Sequence, residues 1–485
     1  MKVKSAKNTV SFFVILFVLS ILLNCQNHNT SKTLVGRANP DKQNDLKEIL
    51  KDNRLVILVE NSTTSYFIYK GQKMGFEYEI LNEFAKSLGV KLEVNIINDL
   101  NNVINELNEG YGDILACNFT VTKDRKKEID FSEPILRAPQ VLVQRLPEGW
   151  EHMKKNEIEK HLIRDPIQLS RKTIHVWNKS SYYDRLINLQ HEMGDTFIIA
   201  PLDGNLIAEE AVEMVSKGII DYTVVDKNVA IINQRYNKNV DTKMLLSFEQ
   251  QIAFAVRKES PLLRKKLNSW LKEFKQTTKF KYIKHKYYDL SEYTDKSQSE
   301  YSSIKGGKIS SFDNIIKNAS KKRGWDWRLV ASIIYQESKF TLENESWAGA
   351  YGLMQFMPSV GPIYGVYPDS PPEVQIEGGL KKLSYNYKQW ASIKDSIQRI
   401  KFTIATYNAG MGHVLDAQKL AEKYGKDPHK WDDNVEIYMR YLSDPKYYKD
   451  PLVKFGYIRG NETFNYTRAV YARYLEYKKL FKEYV

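Results

Sequence analysis

The sequence predicts a multidomain chain in which an α/β unit is followed by an all-α unit, and two patterns carry that reading. From Leu55 to Val225, short apolar runs of strand character alternate with helical periodicity, as in an α/β domain with largely parallel sheets. Beyond about residue 309 the periodicity is helical almost throughout. A length of 485 residues with 42% hydrophobic content leaves room for a separate core in each unit.

Taken in order, Leu55 to Val59 reads as a strand, and Ile80, Leu81, Phe84, Ala85 and Leu88 as a helix stopped by Gly89. Val90 to Ile97 reads as a strand, Val103 to Leu107 as a helix, and Ile114 to Cys117 and Thr173 to Trp177 as strands. A helix over Ala208 to Val215 precedes a strand over Tyr222 to Val225. In the later unit, Leu329 to Tyr335, Ala391 to Tyr407, Val414 to Lys423 and Tyr466 to Phe481 have helical spacing. Polar stretches over 26–48 and 291–308 read as a tether and a linker, which leaves 49–290 and 309–485 as the two domains.

Lys2, Lys4 and Lys7 followed by the apolar run Val10 to Leu23 have the order of a secretory signal, and the run is shorter than the ~20 residues a bilayer core requires. Leu22-Leu23-Asn24-Cys25 resembles a bacterial lipobox, which implies a signal peptide over 1–25 and lipidation of Cys25. Diacylation would hold the chain on a membrane, with the periplasmic side of a Gram-negative outer membrane as the expected location. Of the two cysteines the other, Cys117, reads as a small buried hydrophobe. The formal charge of +13 comes from lysines scattered along the chain rather than from arginine-rich blocks, which argues against nucleic acid. A carboxylate-bearing polymer or a membrane surface suits that charge.

Asp326 to Ser338 reads as a capped helix in which Leu329, Val330, Ile333 and Ile334 form the inward stripe and Glu337 continues it. Poor solvation and the negative end of the helix dipole would raise the Glu337 pKa and keep a general acid protonated near neutral pH. A glutamate at a helix end is, taken alone, usually solvated. The segments around it change that reading. Gly349-Ala350-Tyr351-Gly352-Leu353-Met354-Gln355-Phe356-Met357-Pro358 and Ala405-Thr406-Tyr407-Asn408-Ala409-Gly410 follow Glu337-Ser338, and Glu462-Thr463-Phe464-Asn465-Tyr466 follows later. Gly352 permits close approach of backbone to a bound group, Met354 offers an adaptable apolar surface, and Gln355 supplies a donor and an acceptor. Tyr407 and Asn408 are expected to position Glu337. Packing alone would also explain these runs, with a helix start at Gly-Leu-Met-Gln and Gly410 as a left-handed helix cap.

In order and wording these segments resemble the motifs of the soluble-lytic-transglycosylase family. The resemblance implies a lysozyme-like catalytic domain that cleaves peptidoglycan glycan strands, with Glu337 as its single acid/base. It also implies that Ser338, Gly352, Met354, Gln355, Tyr407, Asn408 and Tyr466 contact substrate. By the same resemblance, the products end in 1,6-anhydromuramic acid and no cofactor or metal is needed. No His/Cys cluster has metal-site spacing, and His413 reads as a structural or subsite residue. Glu343 and Glu345 leave lysozyme-type hydrolysis, which needs two carboxylates, as the alternative chemistry.

In the earlier unit, Gly75 to Ile80, Gly112 to Leu115, Thr120 to Arg125 and Asp130 to Pro134 resemble the family 3 solute-binding proteins. That resemblance implies a bilobed fold with Thr120 and Arg125 for a ligand carboxylate, Ser180 and Ser181 from the opposing lobe, and Asp226 for an ammonium. A muropeptide, peptide or amino acid is the implied ligand. Arg125 also reads as a surface arginine among Lys123 to Lys127, and Asp226 as a helix cap. Together the resemblances imply a bilobed α/β periplasmic-binding-protein fold followed by an all-α lysozyme-like domain. A lipid-anchored receptor with a non-catalytic wall-binding C-terminal domain is the rival from another class.

Overall fold

A computed structural model describes residues 45–97, 99–346 and 348–482. The signal segment, the lipobox with Cys25 and most of the tether lie outside the described residues. Among the described residues no helix is long and apolar enough to cross a membrane.

The α/β unit is two lobes, each built on a five-stranded sheet. In the first, β1 (Arg54–Val59) runs parallel to β4 (Lys91–Ile96) and β5 (Ile114–Ala116), and its Leu55 to Val59 are buried. A hairpin of β2 (Phe67–Tyr69) and β3 (Gln72–Met74) precedes helix α1 (Phe76–Leu88), which packs Ile80, Leu81 and Phe84 on the sheet and ends at Gly89 with φ 70°. The chain then leaves through β6 (Ile129–Phe131) and β7 (Leu136–Ala138) into the second lobe. There β8 (Gln140–Arg145), β9 (Thr173–Trp177), β10 (Ile198–Leu202), β11 (Tyr222–Asp226) and β12 (Val240–Asp241) lie in the order β10-β9-β11-β8-β12. Helices α2 (Ser181–Met193), α3 (Ala208–Ser216) and α4 (Lys227–Gln234) belong to this lobe. The chain returns through β13 (Gln250–Ile252), paired antiparallel with β7, to β14 (Ala255–Arg257) in the first sheet.

The sheets are less parallel than the alternation predicts. β14 is antiparallel to β5 and β6, and β8 is antiparallel to β11 and β12. The reason is connectivity: these strands arrive across the hinge and not by a helical crossover, so nothing forces them to run with their neighbours.

The C-terminal unit is helical. Its elements include α6 (Asp313–Arg323), α7 (Trp327–Ser338), α8 (Pro372–Gln389), α9 (Ser396–Ala409), α10 (Met411–Lys423) and α11 (Gly460–Leu480), α5 (Ser291–Gln298) lying before them in the connecting stretch. The helix expected from Ala391 begins later, because Asp395 caps α9 by accepting from the Ile397 and Gln398 amides at 2.8 and 3.2 Å, while Trp390 and Ile393 are buried in the turn before it. Gly410 ends α9 at φ 83°, ψ 156°, outside the left-handed cap region the sequence suggested.

The stretch 291–308 is not a loose linker. Its first eight residues are α5, and beyond it Ser302 and Ser303 are buried against the first lobe. The Ser303 hydroxyl accepts from the Ile68 amide at 2.9 Å and donates to Asn61 Oδ1 at 2.8 Å. A serine-rich composition reads as flexible, yet short hydroxyls fit between backbones and satisfy buried amides. The two units also dock directly. Glu476 of α11, buried, accepts from Lys73 Nζ at 2.6 Å and from the Tyr66 hydroxyl at 3.1 Å, and Lys479 donates to Asn95. Gly71, at φ +77°, lies under Tyr335, whose ring would sit 2.5 Å from any Cβ added there.

Glu476→Ala strands the Lys73 ammonium and the Tyr66 hydroxyl, and a loss of about 2 kcal/mol is expected, near the value for a hydrogen bond to a charged group. Chemical denaturation of the whole chain measures it, and an unchanged midpoint would show that this contact carries no weight.

Candidate functional site

Helix α7 positions its last turn by two devices. At its start, Asp326 accepts from the Arg328 amide at 3.0 Å, and its carboxylate is clasped by the Arg328 guanidinium at 2.9 and 2.8 Å and by the Tyr474 hydroxyl at 3.1 Å. At its end, Lys339 and Phe340 both take positive φ, 52° and 63°, so the chain reverses at once beyond Ser338. Two successive non-glycine residues in that region cost on the order of 1–2 kcal/mol each, a strain the surrounding packing must hold. Leu329, Val330, Ile333 and Ile334 are buried as the inward stripe, and Glu337 shows only an edge to solvent.

The Glu337 carboxyl accepts a hydrogen bond from the Tyr466 hydroxyl of α11 at 2.5 Å. Burial pushes its pKa up to about 7, against the opposing pull of that bond and of the Lys382 charge. A carboxylic acid that is substantially protonated near neutral pH is what general acid catalysis requires. Helix α11 is fixed against α7 by Arg473, which donates to Gln336 Oε1 at 3.2 Å and lies 4.5 Å from the Tyr335 ring centroid.

The other motif residues are brought around Glu337, but most are occupied with one another. Ser338 Oγ donates to the Leu353 carbonyl at 2.9 Å, fastening the end of α7 to the loop that follows. Gly352, at φ +77°, is glycine because a Cβ would meet Gln375 Oε1 at 2.2 Å, and that oxygen accepts from the Leu353 amide at 2.7 Å. The approach expected toward a sugar is thus made toward Gln375. Met354, expected as an apolar surface for substrate, is buried with its sulfur against Gly379. Gln355 Nε2 donates to the carbonyls of Asn344 and Gly352 at 2.9 and 3.0 Å. Tyr407 donates to the Met354 carbonyl at 3.0 Å, and Asn408 Oδ1 accepts from Thr463 Oγ1 at 2.7 Å. Gln375, Lys382, Thr463 and Arg473 were not singled out from sequence. Thr463 lies inside a motif already read, and the other three sit on helices where polar residues are ordinary. Glu343 and Glu345 are exposed, and the charged side chain acting on Glu337 is Lys382.

A cleft between the two lobes brings together Thr120, Arg125, Ser180 and Ser181. Lys123, Lys126 and Lys127 are exposed, but Arg125 turns inward, its guanidinium 3.7 Å from the Phe119 ring centroid and donating to the Thr120 carbonyl at 2.8 Å. Ser180 caps α2, accepting from the Tyr183 amide at 3.1 Å, and Ser181 accepts from Gln140 Nε2 at 3.1 Å. Asp226 lies one layer behind the wall: fully buried, it accepts from Tyr182 and Asn118, at 3.0 and 2.8 Å, both of which line the cleft. It precedes α4 without capping it, and burial raises its pKa to about 7. Sequence reasoning missed Glu60 and Glu209, which line the same cleft from opposite lobes. Burial, with the Glu209 charge adding to it, raises Glu60 to about 8, and Glu209 accepts from the Thr63 amide across the lobes at 3.0 Å. A glutamate in the first turn of a helix reads as a partner of the helix dipole, which hid Glu209.

A lysozyme-like helical domain with a buried glutamate of raised pKa, joined to a pair of solute-binding lobes, defines a glycan-cleaving enzyme of two parts. Residues 55–290 match the family model for bacterial extracellular solute-binding proteins, family 3, and residues 314–430 match the transglycosylase SLT domain. The chain is 34% identical over 432 residues to the membrane-bound lytic murein transglycosylase F of Desulfosudis oleivorans, covering 88% of this chain and 91% of that one. It is 30% identical to the protein of the same name from Saccharophagus degradans, covering 88% and 82%. Among solved structures, an ancestral arginine-binding protein bound to arginine is similar over 49% of this chain and 98% of that one, at 25% identity and a TM-score of 0.41. The chain belongs to the membrane-bound lytic murein transglycosylase F family and is a peptidoglycan lytic transglycosylase.

Proposed function

We propose that Glu337 is the single acid/base of a reaction that leaves 1,6-anhydromuramoyl ends. In the first half, the Glu337 carboxyl gives its proton to the oxygen of the β-1,4 bond between N-acetylmuramic acid and N-acetylglucosamine, and the bond from that oxygen to C1 breaks. In the second, the C6 hydroxyl of the same muramic acid attacks C1 and returns its proton to the Glu337 carboxylate, which restores the acid without water as nucleophile. The observation that carries this reading is the Glu337 carboxyl held at about 7 by burial and bonded to Tyr466, with a lysine and, among the described residues, no second carboxylate acting on it. A hydrolase of the two-carboxylate kind would set an acidic partner within about 5–10 Å. Tyr466 orients the acid, and Gln355, Tyr407 and Asn408 shape the subsite around it.

The lobes are read as a sensor for a muropeptide, peptide or amino acid, with Arg125 and Thr120 receiving a carboxylate. The buried pair Glu60 and Glu209 suits a cationic group at the other end of such a ligand. Coupling to catalysis requires that the ligand favour one arrangement of the lobes and that the catalytic domain contact them differently in each. Cys25 is read as the lipid attachment that holds the chain on the periplasmic face of the outer membrane.

Incubation of intact sacculi with the enzyme is expected to give anhydro-ended muropeptides by mass spectrometry, and Glu337→Gln to give none while remaining folded. Reducing ends instead would indicate a hydrolase, and activity of the glutamine form within tenfold of wild type would remove Glu337 from the mechanism. For the lobes, calorimetry is expected to show wall peptides binding wild type at least tenfold more tightly than Arg125→Ala, the scale of one charge-assisted pair; equal binding would remove the site assignment. Cys25→Ser is expected to move the protein from the membrane to the soluble fraction, and a form that stays wholly in the membrane would end the lipid-anchor reading.

A further inference from the structure

Against the last turn of α9, among the motif residues around Glu337, stands a cation that the acid/base cycle above leaves without a role. Lys382 stands on α8 between Lys381 and Lys388, which are exposed, but it is turned inward. Its ammonium donates to the Tyr407 carbonyl at 3.1 Å and lies 4.0 Å from the Tyr407 ring centroid and 6.0 Å from that of Phe356. Among the described residues it has no carboxylate at ion-pair distance. A lysine withdrawn from water into an aromatic corner is costly to keep charged, and a carbonyl and a ring face recover part of that cost.

We propose that Lys382 is a positioning residue for the reaction, a fixed positive charge on the Tyr407 turn that stabilises the Glu337 carboxylate between proton donation and proton recovery. The inference rests on Glu337 being the acid. Once Glu337 has given up its proton it is an anion in a poorly solvated pocket, and the pocket supplies two groups to hold it. From α11 the Tyr466 hydroxyl donates directly, and from α8 the ammonium acts through space. From α9 the Tyr407 side chain points its hydroxyl away, to the Met354 carbonyl, while Arg473 acts on the Tyr466 side and on Gln336 rather than on the acid itself. Lys339, two residues on and just beyond the end of α7, is exposed. Burial pulls the Lys382 pKa down and the Glu337 charge pulls it back up, so each group supports the charged form of the other.

The sign of the expected effect follows. The reaction starts from protonated Glu337, so kcat/KM falls as pH rises through its pKa, near about 7. An opposite charge lowers a carboxyl pKa, so removing it moves that alkaline limb upward, by roughly 0.5–1.5 pH units for a partly buried pair, and weakens the acid. The test is the pH profile of kcat/KM and kcat on soluble muramoyl glycan oligomers for wild type, Lys382→Met, Lys382→Gln and Lys382→Arg, with Glu337→Gln alongside. Both neutral variants are expected to show the upward limb and a kcat reduced about tenfold, and Lys382→Arg to return the limb to its wild-type position. Lys382→Gln retains a donor for the Tyr407 carbonyl, so it separates charge from hydrogen bond and decides the matter if the methionine form fails to fold. A limb unmoved in Lys382→Gln overturns the proposal, and so does a limb that Lys382→Arg displaces as far as the neutral variants do, since Lys382 would then be titrating on its own account. If Glu337→Gln itself stays active, the failure lies in the acid assignment and not in the lysine.

Discussion

The hydrogen bond from Tyr466 to Glu337 joins the two helices on which the catalytic domain turns. It forms in the last turn of α7, just before the two left-handed residues that end the helix, where α11 crosses closely enough for a tyrosine to reach. Asp326, Arg328 and Tyr474 fix one end of that crossing and Arg473 fixes the middle, so the acid sits at the far end of a clamped pair. The loop from Gly349 to Pro358 then folds beneath it, held by Ser338, Gln375 and Tyr407. The motif residues form a scaffold in which nearly every polar atom is used, and the carboxyl of Glu337 stands at its open edge.

Much of this was legible in the sequence. Hydrophobic spacing placed α7 and marked Glu337 as continuing its buried stripe, and the alternation of strand and helix gave the lobes their class. The division of labour among the motif residues was harder to see. Gly352 and Met354 look like substrate contacts when read singly, but each answers to a partner some 25 residues away, Gln375 and Gly379, that no local pattern connects to it. Lys382 was invisible for the same reason: in a helix with two other lysines nearby, only the packed fold shows which one turns inward. The antiparallel strands escaped notice because periodicity reports the faces of a strand and not its direction.

Burial acts alike at both sites. Glu337, Glu60 and Asp226 are all held above the ordinary carboxylate range, mainly by loss of solvent. In the catalytic domain this favours the protonated form of Glu337. Between the lobes it leaves carboxyl groups whose charged forms are poorly supported by the protein, which is the condition in which an incoming cation gains most.

The docking of α11 on the first lobe also bears on how the protein can be divided. A catalytic domain cut away at residue 308 would carry onto its new surface the ring of Tyr335 and the carboxylate of Glu476 without its lysine. That face is built as an interior, with an aromatic ring pressed on Gly71 and an acid paired across the junction. The excised fragment would expose an adhesive patch on the helix that also holds Tyr466, so its catalytic properties would be those of a differently solvated α11. The boundary between the two parts of this protein is clear in the sequence, yet in three dimensions each part forms a wall of the other.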